Sequence, residues 1–469
     1  MLKTNILNSY DTSNENKIRT IYEKEIKYLE KKIIVLDDDP TGIQTVNGVF
    51  VYTDWSYQTI KNAFESDEDM FFILTNSRGF TKEQTEKVHS EIAKNISKVY
   101  KETKIDFIIV SRSDSTLRGH YPLETETLKN TLENELNKKY DGEIIVPFFK
   151  EGGRFTINDI HYVKYGDDLI PAADTEFAKD KSFGYSSSDL KEWCLEKASC
   201  KNVISIPVED FRNFNIEKIK SKLLQAKDFQ KIIINAIDYI DLEAFTIAFL
   251  DVLKSKKEYI FRAAASIVKV LGNINDKKLL NKSDIISSDN KNGGIVIIGS
   301  HVNKTTMQLE ELKKSNLDII FIEFNQHKVL EENGLEDEVN RVVHLTEYNI
   351  KSGNTVVIYT KRERIDFPKD DADNQIKMSV KISESITKIV SKLNIKPSFI
   401  IAKGGITSSD IGTKGLGAKK SLVLGQIENA VPVWLTGNEA KFKNMPYIIF
   451  PGNVGDNDTL KNIVEKLMH

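Results

Sequence analysis

Three consecutive carboxylates, Asp37, Asp38 and Asp39, follow directly on the apolar run of residues 33–36. A short apolar run predicts a buried strand, so the acids are expected to emerge where that strand ends. In open α/β sheets, ligands bind at the carboxyl ends of the strands. A carboxylate at this position could act as a general base toward a substrate hydroxyl. The alternative is a solvated acidic turn or a helix cap, which this cluster alone does not exclude.

Three other predicted strands of the first half, at residues 71–74, 107–110 and 144–149, also run into polar clusters. These clusters contain hydroxyl, amide, carboxylate and guanidinium groups, which would suit a small polyhydroxylated acid. A guanidinium fork binds a carboxylate or a phosphate through two hydrogen bonds. The candidate binding residues are Arg78, Arg112, Asp114, Ser115, Arg118 and Arg154. For each arginine, an ion pair with a neighbouring acid of the protein is an equally good interpretation.

The second half of the chain instead carries glycine-rich segments after its predicted strands. Glycine lets backbone N–H groups approach an anion closely, so this half is predicted to bind phosphate groups with little side-chain charge. The candidate residues are Ser300, Gly404, Gly405, Thr407, Gly452, Asn453, Val454 and Gly455. The alternative for each segment is a tight turn without a ligand. Lys403, just before one of these segments, is a candidate for a phosphate contact, but the expected interpretation is a surface lysine.

The standard nucleotide fingerprints are absent from the sequence. Gly294 and Gly299 have the spacing of a phosphate-loop pair, but Ser300-His301 stands where Lys-Ser or Lys-Thr is required. No glycine triplet with the dinucleotide spacing lies directly between a predicted strand and a helix. A P-loop NTPase and a Rossmann dehydrogenase are therefore disfavoured.

The chain of 469 residues is too long for one ordinary core. Short β-rich runs alternate with amphipathic helical stretches in both halves, which predicts an α/β fold. We expect two α/β domains with mainly parallel sheets and the active site in the interdomain cleft. Residues 272–293 have the most linker-like composition, so the predicted domains are residues 1–285 and residues 286–469.

The composition disfavours several classes of protein. A net charge of −3 gives no basic footprint for nucleic acid or for an anionic membrane surface. No apolar stretch approaches the length of a membrane span, and the first residues lack the apolar core of a signal peptide. The two cysteines, Cys194 and Cys200, come without a histidine cluster, so neither a disulfide framework nor a zinc site is expected. These features predict a cytoplasmic protein whose partners are small molecules.

Several motifs, in order along the chain, resemble those of the four-carbon acid sugar kinase family. They are Asp38-Asp39-Pro40-Thr41-Gly42, Asn76-Ser77-Arg78, Asp114-Ser115-Thr116-Leu117-Arg118-Gly119, Glu151-Gly152-Gly153-Arg154, Thr175-Glu176-Phe177-Ala178, Gly404-Gly405-Ile406-Thr407-Ser408 and Gly452-Asn453-Val454-Gly455. The resemblance runs from about residue 33 to the C-terminus. It implies a first domain that binds a sugar acid, a second that binds ATP, and phosphorylation of a tetronate or 3-oxo-tetronate.

The resemblance also implies roles for individual residues. Asp38 would be the base, and Asp39 would orient the substrate or a metal ion. Arg78, Asp114 and Arg118 would hold the acid, while Ser300, Gly405 and residues 452–455 would hold ATP. Mg²⁺ would bridge the phosphates, and its ligands stay open, with Asp39, Asp410 and Asp456 as possibilities. Arg112 and Ile406 stand where Lys and Glu are frequent in the family, which leaves the choice of acid open.

The sequence therefore predicts an ATP-dependent kinase for a four-carbon sugar acid, with the terminal 4-hydroxyl as the expected acceptor. Asp38 would take the proton of that hydroxyl as it attacks the γ-phosphate. One alternative is a non-catalytic sensor of sugar acids or nucleotides, which the carboxylate cluster disfavours. The other is a dehydrogenase, which the missing dinucleotide fingerprint disfavours. The oligomeric state is left open.

Overall fold

The structure is a computed structural model that describes residues 2–200, 202–363, 365, 372–452 and 454–468. It divides into two compact units, which we call unit 1 and unit 2. Unit 1 comprises Met1–Val46 and Asp54–Asp276, and unit 2 comprises Asn47–Thr53 and Lys277–His469. The predicted boundary at residue 285 and the predicted cleft stay predictions.

The strands of both units are short. They are β1 (Leu2–Lys3), β2 (Lys32–Asp37), β3 (Phe50–Tyr52), β4 (Met70–Leu74), β5 (Phe107–Arg112), β6 (Gly142–Val146), β7 (Arg154–Ile157), β8 (Ile160–Tyr165), β9 (Asp168–Pro171), β10 (Val203–Ile206), β11 (Gln230–Ile234), β12 (Tyr259–Ala263), β13 (Ile295–Ile298), β14 (Ile319–Phe324), β15 (Thr355–Thr360), β16 (Ile400–Lys403), β17 (Lys420–Glu428), β18 (Val431–Thr436) and β19 (Pro446–Phe450).

The helices alternate with these strands. They are α1 (Glu15–Glu25), α2 (Tyr57–Phe64), α3 (Lys82–Thr103), α4 (Leu123–Leu136), α5 (Leu190–Lys197), α6 (Val208–Arg212), α7 (Ile216–Gln225), α8 (Tyr239–Leu253), α9 (Ala265–Leu271), α10 (Lys282–Ile285), α11 (Asn303–Lys313), α12 (Gly334–Lys351), α13 (Ala372–Lys392), α14 (Gly405–Asp410) and α15 (Thr459–Met468).

The main sheet of unit 1 is parallel and has the strand order β10-β11-β6-β12-β5-β2-β4. β2, β4, β5 and β6 are buried at every position, as expected for central strands of a parallel sheet that is covered on both faces. This burial explains why they appear in the sequence as continuous apolar runs. A small antiparallel sheet of unit 1 has the order β1-β9-β8-β7.

The sheet of unit 2 is mixed. β19-β16-β13-β15-β14 are parallel neighbours, and β3, β17, β18 and β19 pair antiparallel in that order. One side of this sheet packs into a core that includes Leu309, Ile401 and Ile463. The α/β class, the two domains and the mainly parallel sheets are thus confirmed.

No described helix combines the length and the apolar character that crossing a bilayer requires.

A buried ion pair links two strands of unit 1. Lys231 on β11 and Glu143 on β6 are register partners, and their charged groups form an ion pair with both side chains almost fully buried. The Tyr121 hydroxyl also donates to Glu143, at 3.2 Å. The pair therefore ties the chain that follows the Asp114–Arg118 segment to the middle of the sheet.

We predict that Glu143→Gln lowers the free energy of unfolding by about 3–5 kcal/mol, because it leaves the Lys231 ammonium buried without a counter-charge. Urea unfolding measures this difference. The control is Glu135→Gln, which breaks an exposed ion pair with Lys101 and should cost less than about 1 kcal/mol. Equal effects of the two substitutions would contradict the prediction.

Candidate functional site

The three carboxylates of the first motif lie at the carboxyl end of β2. Asp37 is its last residue, and the register pairs it with Arg112, the last residue of β5. Arg112 Nη1 accordingly donates to Asp37 Oδ1 at 3.1 Å. A Cβ at Gly42 would come within 1.9 Å of Asp37 Oδ2, so the backbone can pass here only at a glycine. Asp37 is therefore enclosed by protein on this side.

Arg78 holds Asp38 through two hydrogen bonds. Its Nη2 donates to Asp38 Oδ1 at 2.6 Å and its Nε to Asp38 Oδ2 at 3.1 Å. Nη1 of the same guanidinium reaches Asp39 Oδ2 at 3.3 Å. Arg78 lies in the 3₁₀ turn Ser77–Gly79 after β4, and Asn76, which precedes this turn, has a left-handed φ of 56°. Asparagine tolerates this conformation better than most residues, so the turn aims Arg78 at the acids.

The pKa values of the three carboxyls are shifted in different directions. Burial raises the pKa of Asp37 to about 7, although Arg112 opposes the rise. Burial also raises the pKa of Asp38, against the opposing charge of Arg78. For Asp39, burial is outweighed by Arg78 and by hydrogen bonds from Thr41, so its pKa is lowered. Asp39, with its side chain 22% exposed, is thus ionised, while the side chain of Asp38 is only 2% exposed.

A second ion-paired group lies after β5. Arg118 Nε donates to Asp114 Oδ2 at 2.8 Å, and Thr116 donates its hydroxyl to the same carboxylate. Arg78 Nη1 is 4.0 Å from Asp114 Oδ1, which connects this group with the acids of β2. Burial would raise the pKa of Asp114, but Arg78 and Arg118 outweigh it and lower that pKa. Arg78, Arg112 and Arg118 therefore all form ion pairs with acids of the protein. This is the alternative to ligand binding that the sequence left open for each arginine.

Arg154 differs from these three arginines. It begins β7, and among the described residues it has no carboxylate within ion-pair distance. Its Nε has no hydrogen-bond partner, and its Nη1 donates to the carbonyl of Gly152. Burial lowers its pKa, and Asp114 and Arg118 act on it electrostatically. Arg118 and Arg154 lie over the ring of Phe177, at 5.0 and 5.8 Å from its centroid. Arg154 is thus a partly buried cation beside the Asp114–Arg118 segment.

Ser115 is buried, and its carbonyl oxygen is 2.8 Å from His161 Nε2. The other ring nitrogen, Nδ1, pairs with the hydroxyl of Thr156 at 3.0 Å. Burial lowers the pKa of His161 to about 4, so the ring is neutral near pH 7. His161 therefore supports the main chain at Ser115.

Sequence reasoning missed Arg262, a fully buried arginine of β12. Its Nη2 donates to the backbone carbonyls of Asp114 and Arg118, each at 3.3 Å, and the guanidinium lies 5.4 Å from the ring of Trp193. It fixes the main chain that presents Asp114 and Arg118. The sequence contained little that would identify Arg262, because β12 was not predicted. A single arginine within an apolar run also belongs to no recognisable motif.

Sequence reasoning also missed Glu124, a buried carboxylate of α4. The hydroxyls of Ser77 and Ser113 donate to it, at 2.6 and 3.4 Å. These bonds join the turn that carries Arg78 to the end of β5. Glu124 is therefore part of the frame behind the ion pairs.

Unit 2 contains a cavity of about 560 Å³ at the carboxyl ends of β13 and β16. Its lining includes four of the predicted nucleotide-binding residues: Ser300, Gly404, Gly405 and Thr407. Gly404 has a φ of +121°, which favours glycine, and a Cβ there would approach the Cβ of Ser300 to 3.1 Å. A Cβ at Gly299 would lie 2.5 Å from the Thr407 hydroxyl. The backbones of the two loops can therefore meet only because both positions lack a side chain.

The third glycine segment is only partly at this cavity. A Cβ at Gly452 would lie 3.4 Å from Ser300 Oγ, so Gly452 adjoins the lining. Gln308 of α11 donates to the carbonyl of Val454, and Gly455 turns the chain toward α15 with a φ of +77°. Val454 and Gly455 do not line the cavity. Asn453 lies outside the described residues.

One wall of the cavity is apolar and was missed. It is formed largely by α13 and consists of Met378, Ile382, Ile386, Ile365 and Ile406. This wall was not predicted from the sequence, because the side of α13 that meets the glycine loops is set by tertiary packing.

Sequence reasoning also missed Arg362. Its guanidinium donates to the carbonyl of Ser300 at 2.9 Å and to the hydroxyl of Thr306 at 2.5 Å. Arg362 thereby steadies the loop after β13.

The expectation for Lys403 was wrong, because this lysine is fully buried rather than on the surface. It ends β16, and its Nζ donates to the carbonyl of Pro451 at 3.1 Å. Burial lowers the pKa of Lys403 to about 7, and the charge of Lys304 acts in the same direction.

No group of three or more His, Cys, Asp or Glu side chains that could hold a metal ion occurs in the described part of the chain. Mg²⁺ commonly binds through one or two carboxylates together with substrate phosphates, so a site of that kind needs no such group. Asp410, one of the possible ligands, is paired with Lys414 at 2.8 Å.

Two family models match the chain. The model described as the sugar-binding N-terminal domain matches residues 33–271, and that described as the nucleotide-binding C-terminal domain matches residues 295–460. The sequence matches no curated protein.

Two solved structures are similar in fold. Haemophilus influenzae protein HI1011, of family DUF1537, covers 93% of this chain and 100% of its own, with 18% identity and a TM-score of 0.61. A Salmonella typhimurium LT2 protein with the provisional name tRNA synthase covers 92% of this chain and 98% of its own, with 15% identity and a TM-score of 0.64. At these identities the likeness concerns the fold alone. The sugar-binding and nucleotide-binding matches together span most of the sequence, and by this pair of domains the chain belongs to the four-carbon acid sugar kinase family.

Proposed function

We propose that the chain is an ATP-dependent kinase that phosphorylates the terminal 4-hydroxyl of a four-carbon sugar acid, such as a tetronate or a 3-oxo-tetronate. The observation that carries the proposal is that one chain contains both a buried acid–arginine cluster in the sugar-binding domain and a glycine-lined cavity in the nucleotide-binding domain. Phosphoryl transfer needs little covalent chemistry from the protein and relies on positioning and charge stabilisation.

Arg154 is the proposed anchor for the carboxylate of the sugar acid. Arg78, Arg112 and Arg118 already share their charges with acids of the protein. Arg154 has a free Nε and no acidic partner among the described residues, so a ligand carboxylate would supply the missing counter-charge. Asp39, Asp114 and Ser115 are the proposed contacts for the hydroxyl groups, and the other three arginines keep the acids in place.

Asp38 is the proposed base. Its carboxylate would accept the proton of the substrate hydroxyl while that oxygen forms a bond to the γ-phosphorus, and ADP leaves with the electron pair of the broken bond. Both oxygens of Asp38 accept hydrogen bonds from Arg78, and the remaining lone pairs of the carboxylate could accept the proton of the substrate hydroxyl. The burial that raises the pKa of Asp38 makes it a better proton acceptor than an exposed aspartate.

The nucleotide is proposed to bind in the cavity of unit 2. Backbone N–H groups at Gly404 and Gly405 and the hydroxyls of Ser300 and Thr407 would contact the phosphates, with Gly452 next to Ser300. The apolar wall from α13 offers a surface for the base. Mg²⁺ bound to the phosphates would neutralise part of their charge, and Asp39, Asp410 and Asp456 are the carboxylates proposed to assist.

We predict ADP formation when the protein is mixed with Mg²⁺, ATP and one acid from a panel. The panel holds D- and L-threonate, D- and L-erythronate, the 3-oxo-tetronates and five-carbon aldonates.

We predict that Asp38→Asn lowers kcat about 10²–10⁴-fold with little loss of acid binding, since it removes the base and keeps the shape of the side chain. Binding of both ligands without turnover would favour the sensor, and an unchanged rate in Asp38→Asn would remove Asp38 from its role.

We predict that Arg154→Gln raises KM for the acid roughly 10- to 100-fold, because a hydrogen bond to a charged group contributes about 1.5–3 kcal/mol. The KM for ATP should stay the same. Steady-state kinetics with each substrate varied in turn measure both values. The control is Arg19→Gln, which changes an arginine of the same unit whose side chain is 58% exposed. If KM for the acid does not change in Arg154→Gln, another residue anchors the carboxylate.

A further inference from the structure

Lys403 is a buried amine without an acidic partner. Its Nζ lies 3.6 Å from the centroid of the Phe450 ring and donates to the Pro451 carbonyl. Among the described residues, no carboxylate lies within 4 Å of it. Lys231, an equally buried lysine of unit 1, is by contrast paired with Glu143. Folding alone therefore gives Lys403 no counter-charge.

The position of Lys403 is next to the loops that line the cavity. It directly precedes Gly404, and the carbonyl that it contacts directly precedes Gly452. Gly404 N–H in turn donates to the carbonyl of Phe450 at 2.9 Å. Because a Cβ at Gly452 would come within 3.9 Å of Gly404 Cα, the two loops are in close contact at this point. The lysine thus joins the ends of β16 and β19 where the proposed phosphate site begins.

The charges around Lys403 do not favour an ammonium ion. Lys304 of α11 acts on it with the same sign, while β19 contributes the Phe450 ring and the loop contributes the Pro451 carbonyl. Carbonyl and ring contacts offset only part of the cost of burying a charge. In the protein alone, burial lowers the pKa of Lys403 to about 7, so roughly half of the molecules carry the charge at neutral pH. An anion bound nearby would favour the charged form.

We propose that Lys403 is a positioning residue for the nucleotide phosphates: its side-chain amine takes up a proton when the phosphates bind, and the ammonium group so formed supplies positive charge behind the glycine loops. This inference rests on the proposed nucleotide site. It explains how loops with little side-chain charge of their own could hold a polyanion.

The proposal has a consequence for pH. Phosphate binding raises the pKa of an amine that is near 7 in the free protein, so the bound state holds more protons than the free state above pH 7. The contribution of Lys403 to affinity is therefore constant below about pH 7. It falls by up to tenfold per pH unit as the pH rises, until the pKa of the bound state is reached.

The test is calorimetric titration of the whole protein with ADP at pH 7.5 in two buffers of different ionisation enthalpy. The difference in heat gives the number of protons taken up, and we expect up to about 0.8 per ADP from Lys403. Adenosine, which has no phosphate, should cause no uptake. In Lys403→Met the proton uptake by the Lys403 amine should disappear. At pH 6.5 this variant should bind ADP about 10- to 100-fold more weakly than the wild type.

The matched control is Lys396→Met. Lys396 is a partly buried lysine of unit 2 whose Nζ also donates to backbone carbonyls, those of Lys443 and Asn444. The Lys396→Met substitution should leave both the proton uptake and the affinity for ADP unchanged. The titration of ADP itself, with a phosphate pKa near 6, is common to all three proteins and cancels in the comparison.

The outcomes separate the two proposals. If ADP binds but the uptake is the same for ADP and adenosine, the inference on Lys403 is wrong and the nucleotide site stands. Equal uptake in wild type and Lys403→Met leads to the same conclusion. If ADP does not bind to the wild type, the proposed function and the inference both fail. The adenosine comparison needs no variant, so equal proton uptake with ADP and with adenosine contradicts the inference even if Lys403→Met does not fold.

Discussion

The ion pair between Arg78 and Asp38 is the interaction on which the candidate sugar site depends. A carboxylate with a side chain only 2% exposed would be strongly unfavourable without a partner, and Arg78 supplies two hydrogen bonds to it. The same guanidinium reaches Asp39 and approaches Asp114, so one side chain after β4 joins acids that follow β2 and β5. Removal of the Arg78 guanidinium would leave the carboxylates of Asp38, Asp39 and Asp114 close together without this counter-charge.

The parallel sheet makes this arrangement possible because it brings strand ends together. The register that pairs Asp37 with Arg112 sets a buried ion pair at the edge of the sheet, and Gly42 lets the next turn pass close over it. Arg262, from a neighbouring strand, then holds the carbonyls of the segment that carries Asp114 and Arg118. The site is thus fixed by main-chain geometry as well as by charge, and a ligand need not order these side chains itself.

The sequence predicted the strand ends well, since apolar runs followed by polar clusters mark them directly. It could not predict which arginine pairs with which acid, because that depends on register and on the turn at Asn76. Arg78 and Arg154 both follow predicted strands, so the sequence does not distinguish them. Only the contacts in the fold show that Arg78 is paired with an acid and that Arg154, among the described residues, is not. Lys403 was misjudged for a related reason: a lysine is rarely buried without a partner, and proximity to Phe450 and Pro451 arises only in the folded sheet.

The two candidate sites handle charge in opposite ways. In unit 1, Arg78, Arg112 and Arg118 are neutralised by acids of the protein. Arg154 has no acidic partner among the described residues, which fits a ligand with a carboxylate. In unit 2 the cavity is lined by glycine, hydroxyl and apolar groups together with His301 and Gln326, and its described lining includes no lysine or arginine. A polyanion there depends on backbone dipoles and on any cation nearby, which act strongly at low local dielectric. A lone buried amine such as Lys403 therefore has more influence on binding than a surface lysine would have, since solvent screens it less.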